Sequence, residues 1–399
     1  YKRQAEQCPV MNQGQSVFTQ IMQIIHRQEF QRCVSRYGGD HKVRSFSCRD
    51  QFLAMSFAQL TYRQSLRDIE ACLDSRANQL YHLGFRSRVA KSTLAEANEK
   101  RDWRIYADLA HQLIRQARVL YRHEPLGVEL NQTVYALDAT IIDLSLSVFP
   151  WAWAQQNKSA VKLNTLLDLR GSIPTFIEIT AGRAHEVSVL DLLPAEIGAF
   201  YVMDRGYLDF GRLYRLHCVP AYFIVRSKSN LSFTRYESHH TPTGTGIRSD
   251  QLGRLRWMSS RRKYPDKLRR IRYVDPETRQ ELLFLTNHFQ LPALTVARLY
   301  QLRWQIELFF RWIKQHLRIK TFYGTSSNAV RTQIWIAICV YLQIAILKKQ
   351  CHLPHSLHSM LQVISVSVFE KIPIYQLFTS KPPQMPQESS SNQLKLMDF

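Results

Sequence analysis

The chain has 399 residues, 45% hydrophobic and 11% aromatic, which excludes a disordered polymer and leaves length for two or three domains. Its 53 lysines and arginines against 32 acidic residues give a formal net charge of +21, an excess that calls for a polyanionic partner, nucleic acid first. No amphipathic anchor or lipidation motif accompanies that charge, which sets a polybasic membrane-surface protein aside. Seven scattered cysteines without a CxxC or Cys/His cluster argue for a reducing cytoplasm and against structural zinc. No signal peptide is visible, and the chain opens on Tyr1 rather than Met, so its start is expected upstream.

In chain order, residues 1–15 are polar and expected to be flexible. A helical domain follows over 16–125, poor in glycine and proline. Within it 65–73 and 88–114 read as two helices, and the basic, hydroxyl-rich opening of the second suggests a recognition helix in a helix-turn-helix variant, hence DNA binding. From 131 the pattern turns to β-branched alternation. NQTVYALDATIIDLSLS, AVKLNTLLDL and IPTFIEITAG read as strands, followed by AFYVMDRGYLDF and VPAYFIVRSK. A mixed α/β sheet flanked by helices is the fold class this predicts. Residues 229–290 read as a β-rich insertion, including the dense basic run 254–273. The apolar run 334–347, flanked by Arg331 and Lys348, is too short for a bilayer and reads as a buried helix. Residues 351–379 read as a C-terminal helical region, and the Pro/Ser-rich 380–399 as a disordered tail.

The most telling stretch is LYQLRWQIELFFRWIKQHL. Taken as one helix, Tyr300, Arg303, Glu307 and Lys314 fall at roughly 0°, 300°, 340° and 320° around the axis, a single polar stripe. Leu302, Ile306, Phe309, Phe310, Ile313 and Leu317 form a core face beside it. Trp304, Leu308 and Trp312 fall on the stripe's other flank, so the helix is expected to be largely enclosed. Enclosed charges need partners or a metal.

Two aspartates complete the pattern. Asp138 in YALDATIID and Asp204 in YVMDRGY each sit at or near the end of an apolar strand-like run, where polar side chains can project from a sheet. With Glu307 they could hold two divalent cations, Mg2+ by preference because it takes oxygen ligands, with Mn2+ as substitute. Asp143 and Asp168 are rivals, although Asp143 lies five residues on and so on the opposite strand face. Lys158 and Lys162 are candidate DNA contacts, or solvated lysines. His185 is expected to be structural, and His239 and His240 to lie on the surface.

With these residues on the page, the chain resembles DDE-type transposases of the insertion sequence 4 family, whose signature Y-(2)-R-(3)-E-(6)-K stands complete at Tyr300, Arg303, Glu307 and Lys314. The resemblance implies an RNase-H-like catalytic domain over 126–350, with Asp138, Asp204 and Glu307 as metal-binding catalytic triad. It implies that Tyr300, Arg303 and Lys314 contact phosphates of the transposon end, and that an insertion-domain tryptophan stabilises a flipped base. Trp257 is the candidate, with core packing as its alternative. It further implies cut-and-paste transposition through a DNA hairpin, by a homodimer on paired ends of double-stranded DNA in the bacterial cytoplasm. The competing readings are a nuclease of the same architecture that cuts without joining, and a non-catalytic DNA-binding repressor.

Overall fold

The computed structural model describes residues 14–145, 147–155, 158–316 and 322–379. The expectations for residues 1–13, for Leu317 and for 380–399 therefore fall outside the described residues.

The N-terminal region is helical: α1 (Val17–Met22), α2 (Arg27–Arg36), α3 (Cys48–Leu60), α4 (Leu66–Asp74), α5 (Leu80–Leu83), α6 (Lys91–Lys100) and α7 (Arg104–Tyr121). Ser47 and Ser65 start α3 and α4 with reciprocal capping boxes, each hydroxyl accepting from the third backbone amide while Asp50 and Asp68 reach back. The single helix expected over 88–114 is two. Arg101 turns extended (φ −80°, ψ 134°), and its guanidinium donates to the carbonyl oxygens of Phe46 and Ser47, which stops α6 and restarts the chain at α7. A tertiary hydrogen bond overrides helix propensity there.

The sheet follows: β1 (Val134–Leu144), β2 (Trp153–Gln155), β3 (Lys158–Asp168), β4 (Ile173–Ala181), β5 (Phe200–Met203), then α8 (Phe210–Cys218) and β6 (Tyr222–Arg226). β7 (Phe233–His239), β8 (Ile247–Leu255), α9 (Met258–Lys263), β9 (Leu268–Val274) and β10 (Glu281–Thr286) make up the insertion. β4, β3 and β1 are antiparallel neighbours, and β5 and β6 run parallel to β1. That order, β4-β3-β1-β5-β6, is the RNase-H-like arrangement expected. The β-rich insertion extends the same sheet, because β10 pairs antiparallel with β6 and β9, β8 and β7 follow outward.

Alternation along β1 and β5 divides the core. Val134, Ala136, Phe200 and Val202 face one hydrophobic cluster, and Tyr135, Leu137, Tyr201 and Met203 face the other, with Leu213 of α8 and Tyr264. The first cluster also holds α10 (Ala293–Leu302), α11 (Trp304–His316), α12 (Ser327–Gln350) and the N-terminal helices. α3, α6 and α7 pack directly on α12. The last elements among the described residues are α13 (Leu357–Ser367) and α14 (Gln376–Thr379).

The apolar run at 334–347 belongs to a helix of 24 residues, longer than its apolar core because Ser326 caps a polar first turn. By length and composition it could cross a membrane, but 94% of its most apolar window is buried inside the fold. It is the core helix on which the N-terminal helices and the sheet both rest.

Candidate active site

The site is built by register. β1 and β5 pair in parallel with Leu137 opposite Met203, so Asp138 and Asp204, each one residue further, stand side by side. Both are even-numbered positions and face the first cluster, where α11 lies. The next strand continues the row: Met203 pairs with Val225, which brings Arg226 beside Asp204. Arg226 Nη1 lies 3.9 Å from Asp204 Oδ1.

Glu307 arrives from α11. Arg303 donates from Nη1 to Asp138 Oδ2 and from Nη2 to Glu307 Oε1, both at 2.7 Å. The Tyr300 hydroxyl donates to Asp204 Oδ1 at 3.0 Å. The three carboxylates expected to converge are thus gathered around two side chains of the same stretch. The arginine side chain is 16% exposed, Asp138 21% and Glu307 37%, so the cluster is half-sunk and open to solvent on the glutamate side. Burial, with Glu307 and Asp204 adding repulsion, pushes the Asp138 carboxyl up to about 6 against the pull of the Ala139 amide and Arg303. Burial, then the negative charge of Asp204, pushes the Tyr300 phenol up to about 12.

Among the described residues no three His, Cys, Asp or Glu side chains stand ready to hold a metal ion. The guanidinium of Arg303 lies between two of the carboxylates. The donor set nevertheless fits a divalent cation: three carboxylates supplying hard oxygen donors, one of them, Asp138, holding its proton to higher pH chiefly because it is buried. Asp138, Asp204 and Glu307 would be the ligands.

The helix expected to run unbroken through the signature breaks at Arg303, where the backbone tightens through bonds from Arg303 N to Tyr300 O and Ile306 N to Arg303 O. The expected enclosure is one-sided. Trp312 is buried, but Trp304 and Leu308 are exposed, with Arg311 over the Trp304 ring. Lys314, two turns beyond Glu307, is exposed and outside the carboxylate cluster.

The rivals separate cleanly. Asp143 is exposed on the other face of β1. Asp168 is buried at the far end of β3, 3.4 Å from Arg118 Nε, with the Arg170 amide donating to it. Lys162 does not reach outward for DNA: its ammonium is buried, donating to Ala184 O at 2.8 Å and 3.3 Å from Glu186. Only the backbone of Lys158 is described. His185 is exposed and lines a cleft with Asp143, Lys162, Glu186 and Gly206. His239 and His240 are on the surface.

Trp257 is not core. It precedes α9 with 65% of its surface exposed, beside exposed Met258, Arg256, Arg261, Arg262 and Lys263. Within the same basic run Arg269 is the exception, buried against Asp250. Sequence reasoning missed Arg226. Arg226 closes an apolar strand as Asp204 does, and that signal was readable. Tyr207, the last residue of the YVMDRGY block, is buried, and its hydroxyl has no partner among the described residues.

An RNase-H-like sheet with carboxylates at adjacent strand positions and a third from a following helix defines a class, the metal-dependent enzymes of phosphodiester chemistry. Family comparison gives the particular member. Residues 129–343 match the transposase DDE domain, more than half of the chain, and residues 13–86 match a domain of unknown function, DUF4372. The chain is 33% identical over 257 residues to a putative transposase, y4zB, of Sinorhizobium fredii, covering 62% of this chain and 68% of that one. It is 25% identical over 337 residues to a probable transposase for insertion sequence element IS5377 of Geobacillus stearothermophilus, covering 83% of this chain and 85% of the relative. A putative transposase for element IS4SA of Synechocystis is 25% identical over 265 residues, 64% of this chain and 71% of the relative. The chain belongs to the DDE transposase family, an enzyme of DNA transposition dependent in general on divalent metal.

Proposed function

We propose that this transposase works by cutting and pasting: it cleaves double-stranded DNA at the terminal repeats of its element and joins the freed ends to target DNA. The observation that carries the reading is the juxtaposition of Asp138 and Asp204 in register, with Glu307 drawn to them by Arg303. Two Mg2+ ions, or Mn2+, held by these carboxylates would activate the attacking oxygen and stabilise the leaving one. The chain's own residues do the positioning. Tyr300 orients Asp204, and Arg226 balances its charge. Arg303 and Lys314 would meet phosphates of the transposon end; a guanidinium suits two phosphate oxygens at once, an ammonium a single one.

Exposed Trp257, set among arginines, is suited to stack on a displaced base during hairpin formation. The basic, exposed residues Arg86, Arg88 and Lys91 ahead of and on α6 make the N-terminal helices a second DNA contact. Two element ends must be processed together, so the working form is a homodimer on paired ends, acting in the cytoplasm on nucleoid DNA.

The test is incubation of the protein with labelled ends of its own element, Mg2+ and a target plasmid. Cleaved and joined products that disappear with Asp138→Ala and Glu307→Gln support the reading. Cleavage without joining makes the protein a nuclease, and DNA binding without Mg2+-dependent cleavage makes it a repressor.

A further inference from the structure

Arg303 stands where two acids from different elements converge. Asp138 comes from β1 and Glu307 from α11, and each accepts one hydrogen bond from the same guanidinium at 2.7 Å. The third donor, Nε, is buried without a partner among the described residues. Without that guanidinium two half-buried carboxylates would face each other unscreened. With it, they are held together, but the arginine is left incompletely satisfied. Asp204 is held separately, by Tyr300 and Arg226.

The geometry points to Arg303 as an internal counter-ion. It is a positioning residue whose guanidinium keeps Asp138 and Glu307 assembled until a divalent cation claims their oxygens, and then turns to a phosphate of the bound DNA. The inference rests on the metal-site reading above and adds that guanidinium and cation compete for the same oxygens. A monovalent and a divalent cation cannot share those atoms without strong repulsion in a half-buried site. A guanidinium displaced from carboxylates needs another anion, and the reaction brings one, since the same planar fork fits phosphate. Cation binding and DNA binding are therefore coupled, each favouring the state the other needs.

The experiment titrates the full chain with Mn2+, following the free ion by electron paramagnetic resonance, for wild type, Arg303→Gln, Arg303→Lys and Asp138→Asn. Thermal unfolding of each reports that it is folded. Arg303→Gln should bind Mn2+ about tenfold more tightly than wild type or better, because the competing charge is gone, while Arg303→Lys stays near wild type. A short linear DNA duplex should raise the Mn2+ affinity of wild type and leave that of Arg303→Gln unchanged. If Arg303→Gln binds Mn2+ no better than wild type while Asp138→Asn loses it, the metal site stands and the counter-ion role falls. If Asp138→Asn binds Mn2+ as wild type does, the metal-site reading fails and takes the inference with it. Should Arg303→Gln not fold, wild type decides: a Mn2+ affinity that DNA does not raise overturns the proposal.

Discussion

Two arginine–carboxylate assemblies in this protein show how differently one pairing can be used. In the insertion, Arg269 grips Asp250 with two hydrogen bonds, Nε at 2.8 Å and Nη2 at 2.6 Å, and spends Nη1 on the Leu291 carbonyl. Both side chains are only 5% exposed. Everything there is satisfied and sealed, and the pair ties β8 and β9 to the start of α10. At the candidate active site Arg303 divides its donors between two acids, leaves one unsatisfied and stays reachable from solvent. A closed ion pair holds a fold, whereas a divided and incomplete one is ready to change partners.

The sharpest way to break that contrast is to remove one acid from each assembly. Asp138→Ala should lower DNA cleavage by a factor of about a thousand or more, with DNA binding and cooperative unfolding retained. A melting temperature that drops as far as the activity would make Asp138 a structural residue. Asp250→Ala should do the reverse, costing about 3–5 kcal/mol of stability by stranding a buried guanidinium. Urea unfolding measures it, and a loss below about 1 kcal/mol would mean that the pair is replaceable.

Proton linkage offers a smaller but directional test. The Asp138 carboxyl sits at about 6 against an ordinary value of 3.8, so in the folded state it holds its proton to higher pH than the unfolded chain does. Stability without metal should therefore fall as pH rises from about 4 to about 6 and stay lower above that, by about 3 kcal/mol at most from this group. Denaturation of wild type and Asp138→Asn across that window isolates the contribution of Asp138, since other buried acids titrate in both proteins. Parallel curves would show that Asp138 is not the strained group. Smallest of all, Trp257→Ala should leave stability within about 0.5 kcal/mol and lower hairpin formation by an amount worth about 1–3 kcal/mol of stacking. A destabilised variant would return Trp257 to a packing role.

Much of the site was legible because its spacing is local. Four polar residues at helical intervals, and aspartates within or just past apolar strands, are patterns that 100° and two-residue periodicities expose directly. Tertiary choices were not legible. Lys162 and Arg269 look like their solvated neighbours in the chain, yet both are buried on carboxylate partners from other segments. Trp304 and Leu308 read as an enclosed flank, yet both are about half exposed. Arg101 cuts a helix for the sake of two carbonyls more than fifty residues away in sequence.

By itself, the order of residues determined the elements, their apolar faces and the signature that marks the family, because those depend on neighbours within a turn or two of backbone. Which strand lies beside which, and therefore that Asp138 and Asp204 stand together with Arg303 reaching across to Glu307, was decided only by tertiary pairing. Strand register and buried charge are settled by partners far along the chain, and a buried arginine takes whichever carboxylate the fold brings within reach.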